Sequence, residues 1–214
     1  MDKYRNIRCL IFIFGQVDFH LSYYYRRFVK HKKFMIENIV KRYIDFINEL
    51  KCNNCNKIVF SVFPSPLRDE NVFGALIVYK VLSIDDINSI SQSDKNKVSS
   101  FAFRFNLYSK FNTLLEKYCK LYNINFISFD DHLLDNNKKV KSKFIDPISK
   151  YNIHLLWEPL IPIILDKILF CKISQKFKTN LETSLEEFIE RKKEEVSKRI
   201  NTNIEKPIKS ISNH

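Results

Sequence analysis

Five apolar residues, Leu10 to Phe14, run unbroken into Gly15, and the polar residues Gln16 and Asp18 follow at once. A run of this kind predicts a strand over residues 8–14, buried on both faces as in a parallel sheet covered by helices. Ile36, Ile39, Val40, Tyr43, Phe46, Ile47 and Leu50 then recur at helical spacing, and Asn53 and Asn54 mark the turn out of that amphipathic helix. Residues 57–63 read as a second buried strand, stopped by Pro64-Ser65-Pro66 because proline cannot donate to a ladder. Residues 75–81 suggest a short helix, and the run from Ser83 to Asp86 suggests the cap of another. Phe101, Phe105, Tyr108, Phe111, Leu115, Tyr118 and Tyr122 mark one face of a long helix. Residues 124–129 form a third strand ending at Asp130, Asp131 and His132. Basic and polar loops follow over 136–143 and 146–154, and a helix over 160–170 begins after Pro159.

Strand, helix, strand, helix, strand, helix in this order implies right-handed crossovers and an α/β fold with a parallel sheet over residues 1–178. Beyond it a capping box at Ser184 and Glu187 and a thin apolar stripe predict a charged terminal helix over 179–200, then a disordered tail over 201–214. In parallel sheets the ligand crevice lies beyond the carboxyl ends of the strands. Gln16, Asp18 and His20 stand there; the plainer reading of the same stretch is a solvated turn.

Composition narrows the functional classes. The chain has 214 residues, 45% hydrophobic, enough for one full core. It carries 19 Phe, 10 Tyr and only 2 Gly, with many Ile, Asn and Lys, a bias that resembles the products of AT-rich genomes and weakens any argument from its net charge of +12. The densest basic patch is Arg26, Arg27, Lys30, Lys32 and Lys33 behind Tyr23, Tyr24 and Tyr25. Tyrosines beside arginines can stack bases, or simply form an amphipathic surface. No nucleic-acid motif accompanies them, which disfavours a nucleic-acid partner. No signal peptide and no apolar span of membrane length is present, so the expectation is a soluble, cytoplasmic protein. Five cysteines without a secretion signal argue against a disulfide framework. Cys52 and Cys55 have zinc-like spacing but no second pair, and read as a turn. Asp130, Asp131 and His132 suit a metal or, better, a helix cap. No cofactor is expected.

Four elements in order carry a resemblance: Gly15-Gln16-Val17-Asp18 after the first strand, Phe63-Pro64-Ser65-Pro66 after the second, Arg104-Phe105-Asn106 in the long helix, and Tyr151-Asn152-Ile153-His154 before the closing helix. Together they resemble the later part of an SGNH (GDSL-like) hydrolase, of the kind carrying G-E-I-D after its third strand, over roughly residues 7–170. The resemblance implies a flavodoxin-like three-layer sandwich, incomplete at its N-terminal side. It implies His154 as general base, with Gly15, Gln16 and Asp18 on the oxyanion side and His20 nearby. The chain departs from the family pattern in lacking the Gly-Asp-Ser nucleophile motif, and Tyr151 stands where the triad aspartate is expected, with Asp146 as a possible substitute. Three functions are therefore weighed: an esterase or acyltransferase-type module acting on acylated glycans, a catalytically inactive remnant used for binding or assembly, and a basic nucleic-acid-binding protein. The missing first strand also leads us to expect self-association, or an upstream partner segment, through the edge formed by residues 9–14.

Overall fold

The computed structural model describes residues 9–51 and 55–170, together with Thr183, Glu187, Glu190, Arg191 and Glu194. The chain divides into one unit, Met1–Ile168, and a second, Leu169–His214. The charged helix expected over 179–200 and the tail over 201–214 lie outside the described residues, apart from those five positions, which are helical and exposed.

Strand β1 (Cys9–Phe12) leads through helix α1 (Ile36–Glu49) to β2 (Asn56–Phe60). Helices α2 (Val72–Val78), α3 (Ile84–Ser89), α4 (Gln92–Ser99) and α5 (Phe101–Leu121) precede β3 (Asn125–Ile127), and α6 (Asp130–Leu133) and α7 (Ile161–Phe170) follow it. The result is a mixed α/β fold with a short, three-stranded parallel sheet in the order β1-β2-β3. Ile11 pairs with Ile58, and Val59 with Phe126. The strand order never reverses. Right-handed crossovers in such a sheet put successive connecting helices on one face, and α1 packs against α5. Val40, Ile44 and Ile47 of α1 meet Tyr108, Phe111 and Leu115 of α5 over Phe12 and Val59 of the sheet.

Ile58, Val59 and Phe60 are all buried, so β2 is covered on both faces as its apolar run requires. β1 is not: Ile11 is 38% and Ile13 47% exposed. The expectation of a first strand buried on both faces is corrected here. β1 is the edge of the sheet, and its Ile11 side is not closed over by the unit's described residues.

The strands are also shorter than their apolar runs. β2 ends at Phe60, although the run continues to Phe63. Ser61 N–H still reaches Ile127 O at 2.8 Å, but there β3 ends. Val62 is passed instead to the side chain of Asn112 on α5. Its N–H donates to Asn112 Oδ1 at 2.9 Å, and its carbonyl accepts from Asn112 Nδ2 at 3.1 Å. One amide thereby imitates a neighbouring strand and meets both backbone groups, as burial demands.

The buried stripe of α5 is rotated from the one its aromatics suggest. Phe101, Phe105, Tyr118 and Tyr122 are only half-buried, whereas Arg104, Asn112 and Cys119 are buried with Tyr108, Phe111 and Leu115. Tyr and Phe at the margins keep one edge wet and one packed, so their spacing alone blurs the centre of the stripe. α2 likewise starts at Val72, earlier than residue 75, because the turn Asp69–Asn71 feeds directly into it. The cap at Ser83 is as expected: Ser83 Oγ accepts from Asp86 N–H at 3.0 Å, and the Asp86 carboxylate accepts from Ser83 N–H at 2.8 Å.

Residues 16–29 are helical, with wide π-type turns at Asp18–Ser22 and Tyr25–Val29. Tyr23 and Tyr24 are buried against Val72, Leu76, Leu82 and Val98, and Tyr24 Oη donates to Val98 O at 3.1 Å. Arg27 pairs with Asp94 at 3.1 Å. These two tyrosines serve the core and are not presented to a base, whereas Tyr25 is 39% exposed with the Lys30 ammonium 5.4 Å from its ring centroid.

Gly15 has φ +89°, and a Cβ there would lie 2.8 Å from Val62 Cγ2 and 3.0 Å from the Phe111 ring. We expect Gly15→Ala to cost about 2–4 kcal/mol, from backbone strain plus overpacking. Asn112→Ala strands two buried backbone groups and is expected to cost about 2–4 kcal/mol as well. Urea unfolding followed by circular dichroism measures both; a loss below about 1 kcal/mol would contradict the assigned roles.

Candidate functional site

The turn after β1 opens a crevice of about 500 Å³. Gly15, Gln16 and Asp18 line it, with Phe14, Tyr43, Phe46 and Phe111 as aromatic walls and Arg26 and Arg42 at the polar side. Sequence and position explain this. The positive φ of Gly15 turns the chain sharply off the sheet, and Phe19 N–H returns to Gly15 O at 2.9 Å to start the next helical segment. Phe14 meets Tyr43 edge to face, with centroids 4.7 Å apart. Phe46 is 52% exposed, so an apolar wall stands open to solvent. No Ser, Thr, Cys, Lys or His is among the described residues lining this crevice.

His20 lies elsewhere. It borders a void of about 10 Å³, roughly the room of one water, together with Tyr24, Ser65, Arg104 and Ile153. Its Nε2 is 3.3 Å from the Phe63 carbonyl. A carbonyl only accepts, so Nε2 carries the hydrogen and Nδ1 the lone pair. Burial drives the pKa down from 6.5 to about 3; the Phe63 carbonyl opposes this, while the charges of Arg104 and His154 add to it. A histidine held neutral this firmly is a poor proton acceptor near neutrality. It pins the chain after β2 instead.

His154 is exposed, its ring edge-on to Tyr79 at 6.3 Å. Its N–H donates to Asn152 Oδ1 at 2.9 Å, and Asn152 Nδ2 donates to Asp146 Oδ2 at 3.2 Å. The loop with Asp146 therefore folds back toward His154, yet it reaches the backbone and not the imidazole. The Asp146 carboxylate also accepts from Ile148 and Ser149 N–H, and these loop bonds hold it below the usual carboxylate range. Tyr151, at the position of the expected triad aspartate, packs its ring over Gly74 of α2, where any Cβ would collide with it. That position does packing work here.

The five residues expected at the site thus fall into three places. Gly15, Gln16 and Asp18 share the crevice after β1. His20 borders the small void, and His154 stands exposed beside Tyr79 within electrostatic reach of His20. His154 is not among the residues lining the Asp18 crevice. The Asp130–His132 stretch begins α6 without a side-chain cap: Asp130 accepts the Tyr108 hydroxyl, and Asp131 pairs with Lys167 at 2.9 Å. No cluster of three potential metal ligands occurs among the described residues, and no described helix is long and apolar enough to cross a membrane.

Two buried polar residues that hold the site together, Arg104 and Asn112, do not stand out in a motif search. Arg104 is buried to 6% exposure, donates to Ser99 O at 2.8 Å and pairs with Asp69 at 2.6 Å. The available signal is spacing: 104, 108, 112 and 115 lie on one helical stripe, and polar residues interrupting such a stripe must find partners inside.

The neutral His20 makes the pH dependence of stability calculable in sign. Unfolded, the imidazole binds a proton below about 6.5; folded, it refuses one until about 3. Its contribution is complete above pH 6.5 and is lost as pH falls toward 3. Urea unfolding should show a loss of about 2 kcal/mol between pH 6.5 and 5, above the range where carboxylates titrate. His20→Gln keeps a donor for Phe63 and should flatten that slope; an unchanged slope would place the effect on another group.

No protein-family model, no curated protein and no solved structure matches this chain, so the crevice after β1 and the His20 void are interpreted through their own residues.

Proposed function

We propose that this chain is a degenerate SGNH-like domain, of three-layer type, that binds an acylated carbohydrate in the crevice after β1 without hydrolysing it. The observation that carries this reading is the lining of that crevice. It combines exposed aromatic faces, a carboxylate, an amide and two guanidinium groups, and none of the described residues lining it is a Ser, Thr, Cys, Lys or His. Its size falls within the range of small-molecule sites, and its mix of apolar walls with a few polar groups suits a sugar bearing an acyl group. Aromatic rings take the C–H faces of the sugar and the acyl methyl group. Asp18, Gln16 and the arginines supply acceptors and donors for hydroxyls and the ester carbonyl.

Hydrolysis needs an activated nucleophile beside a base oriented by a third group. Here His20 is neutral and engaged with a backbone carbonyl, and the loop carboxylate stops short of the His154 ring. One observation favours a second, esterase reading: Ser65 borders the same small void as His20. Ser65 Oγ accepts from Leu67 N–H at 3.4 Å and so helps shape its own turn.

Two assays separate the readings. With an aryl acetate the protein should show no hydrolysis above background; turnover lost in both Ser65→Ala and His154→Ala would establish the esterase. Titration calorimetry with an O-acetylated xylo-oligosaccharide and its deacetylated form should show tighter binding of the acetylated one. Asp18→Ala and Phe46→Ala should each weaken it by about tenfold, equivalent to about 1.4 kcal/mol. Equal affinity for the two forms, or indifference to both substitutions, would remove the acyl-glycan assignment.

A further inference from the structure

Beyond the end of β2 lies a second recess, of about 490 Å³, between the 65–70 loop, the start of α5 and the 139–145 segment. It shares Ser65, Leu67 and Arg104 with the His20 void, so it forms the outer chamber of that buried polar cluster. Three cations line it, Arg68, Arg104 and Lys139, against two carboxylates, Asp69 and Glu70. Arg104 is already matched by Asp69 at 2.6 Å and locked by Ser99 O at 2.8 Å, which leaves its side chain only 7% exposed and rigid. Arg68 and Lys139 are exposed. The Lys139 ammonium stands 5.9 Å over the Phe101 ring, held near the mouth by that face. The lining is thus positive by one charge, and it is backed by an apolar wall of Phe101, Val140 and Ile145.

We infer that this recess binds a small organic oxyanion, a sugar-sized molecule carrying one carboxylate or phosphate group. The anionic group lies between Arg68 and Lys139, above the fixed Arg104–Asp69 pair, and the body of the ligand rests against Val140 and Ile145. A carboxylate or phosphate gains charge-assisted hydrogen bonds from both exposed cations. A neutral sugar hydroxyl can accept from the same donors but carries no opposite charge, so the charge sets the preference. This assignment concerns a different recess and a different ligand class from the acyl-glycan crevice, and it stands or falls separately.

Titration calorimetry of the full chain with glucuronate, glucose 6-phosphate and glucose tests it. At least one of the two charged sugars should bind more tightly than glucose by roughly tenfold or more, and which one does identifies the anionic group. The affinity should fall as salt is raised, because the contacting cations are exposed. Arg68→Ala and Lys139→Ala should each weaken binding by roughly fivefold or more, while Arg42→Ala, in the other crevice, leaves it unchanged. Both substituted side chains are exposed, and an unchanged thermal melt confirms the fold. The inference is overturned if neither charged sugar outbinds glucose. It is equally overturned if binding survives the Arg68→Ala, Lys139→Ala double substitution, or is lost in Arg42→Ala instead.

Discussion

The amide of Asn112 holds Val62 by both its N–H and its carbonyl, and the rest of the carboxyl edge is arranged around that contact. β2 runs out of strand partners after Ser61. Without a substitute, two buried backbone groups would lose their hydrogen bonds, at about 1–3 kcal/mol each. Asn112 supplies the substitute from a helix. Val62, so fixed, presents its side chain to the one position after β1 where only a glycine fits. The next carbonyl, that of Phe63, takes the hydrogen bond from His20. Both the β1 crevice and the His20 void therefore take their positions from one side-chain-to-backbone pair.

This arrangement also explains why the carboxyl edge carries recesses although its strand order has no reversal. In a doubly wound sheet a crevice opens where neighbouring loops diverge to opposite faces. Here the order is sequential and α1 and α5 share a face. The crevices arise instead from the sharp turn at Gly15 and from the long excursion between β2 and α5. That excursion buries Tyr23 and Tyr24 and carries Asp69 to Arg104. Sequence length placed between two strands does the work that strand order does elsewhere.

The polar interior is divided between groups kept neutral and groups kept paired. His20 loses its charge because burial penalises the imidazolium more than one carbonyl can compensate. Burial, and then the Asp130 carboxylate, push the Tyr108 phenol up, so it remains a donor. Arg104 keeps its charge, since guanidinium does not deprotonate, and it must be given a carboxylate and a carbonyl. Neutral and paired groups build a rigid edge. General acid–base chemistry needs a group poised near the working pH, and neither His20 nor Tyr108 is poised there.

Hydrophobic runs determined that residues near 10, 58 and 126 are strands and that α1 and α5 are helices, because apolar periodicity acts locally and survives in any context. The Ser83 cap was legible for the same reason: donor and acceptor are three residues apart. The turn at Gly15 was legible from a glycine closing an apolar run, whereas that pattern alone does not decide between a crevice and a solvated turn for Gln16 and Asp18. Tertiary structure alone decided the rest. Whether β1 is covered on both faces depends on its neighbours in space. Whether Arg104 and Asn112 face inward depends on which partners lie 35 and 50 residues away. Whether His154 meets a carboxylate depends on how Asp146 folds its own loop. Each of these is a contact between distant segments, and a linear pattern carries residue types and spacing but not the path that brings such segments together.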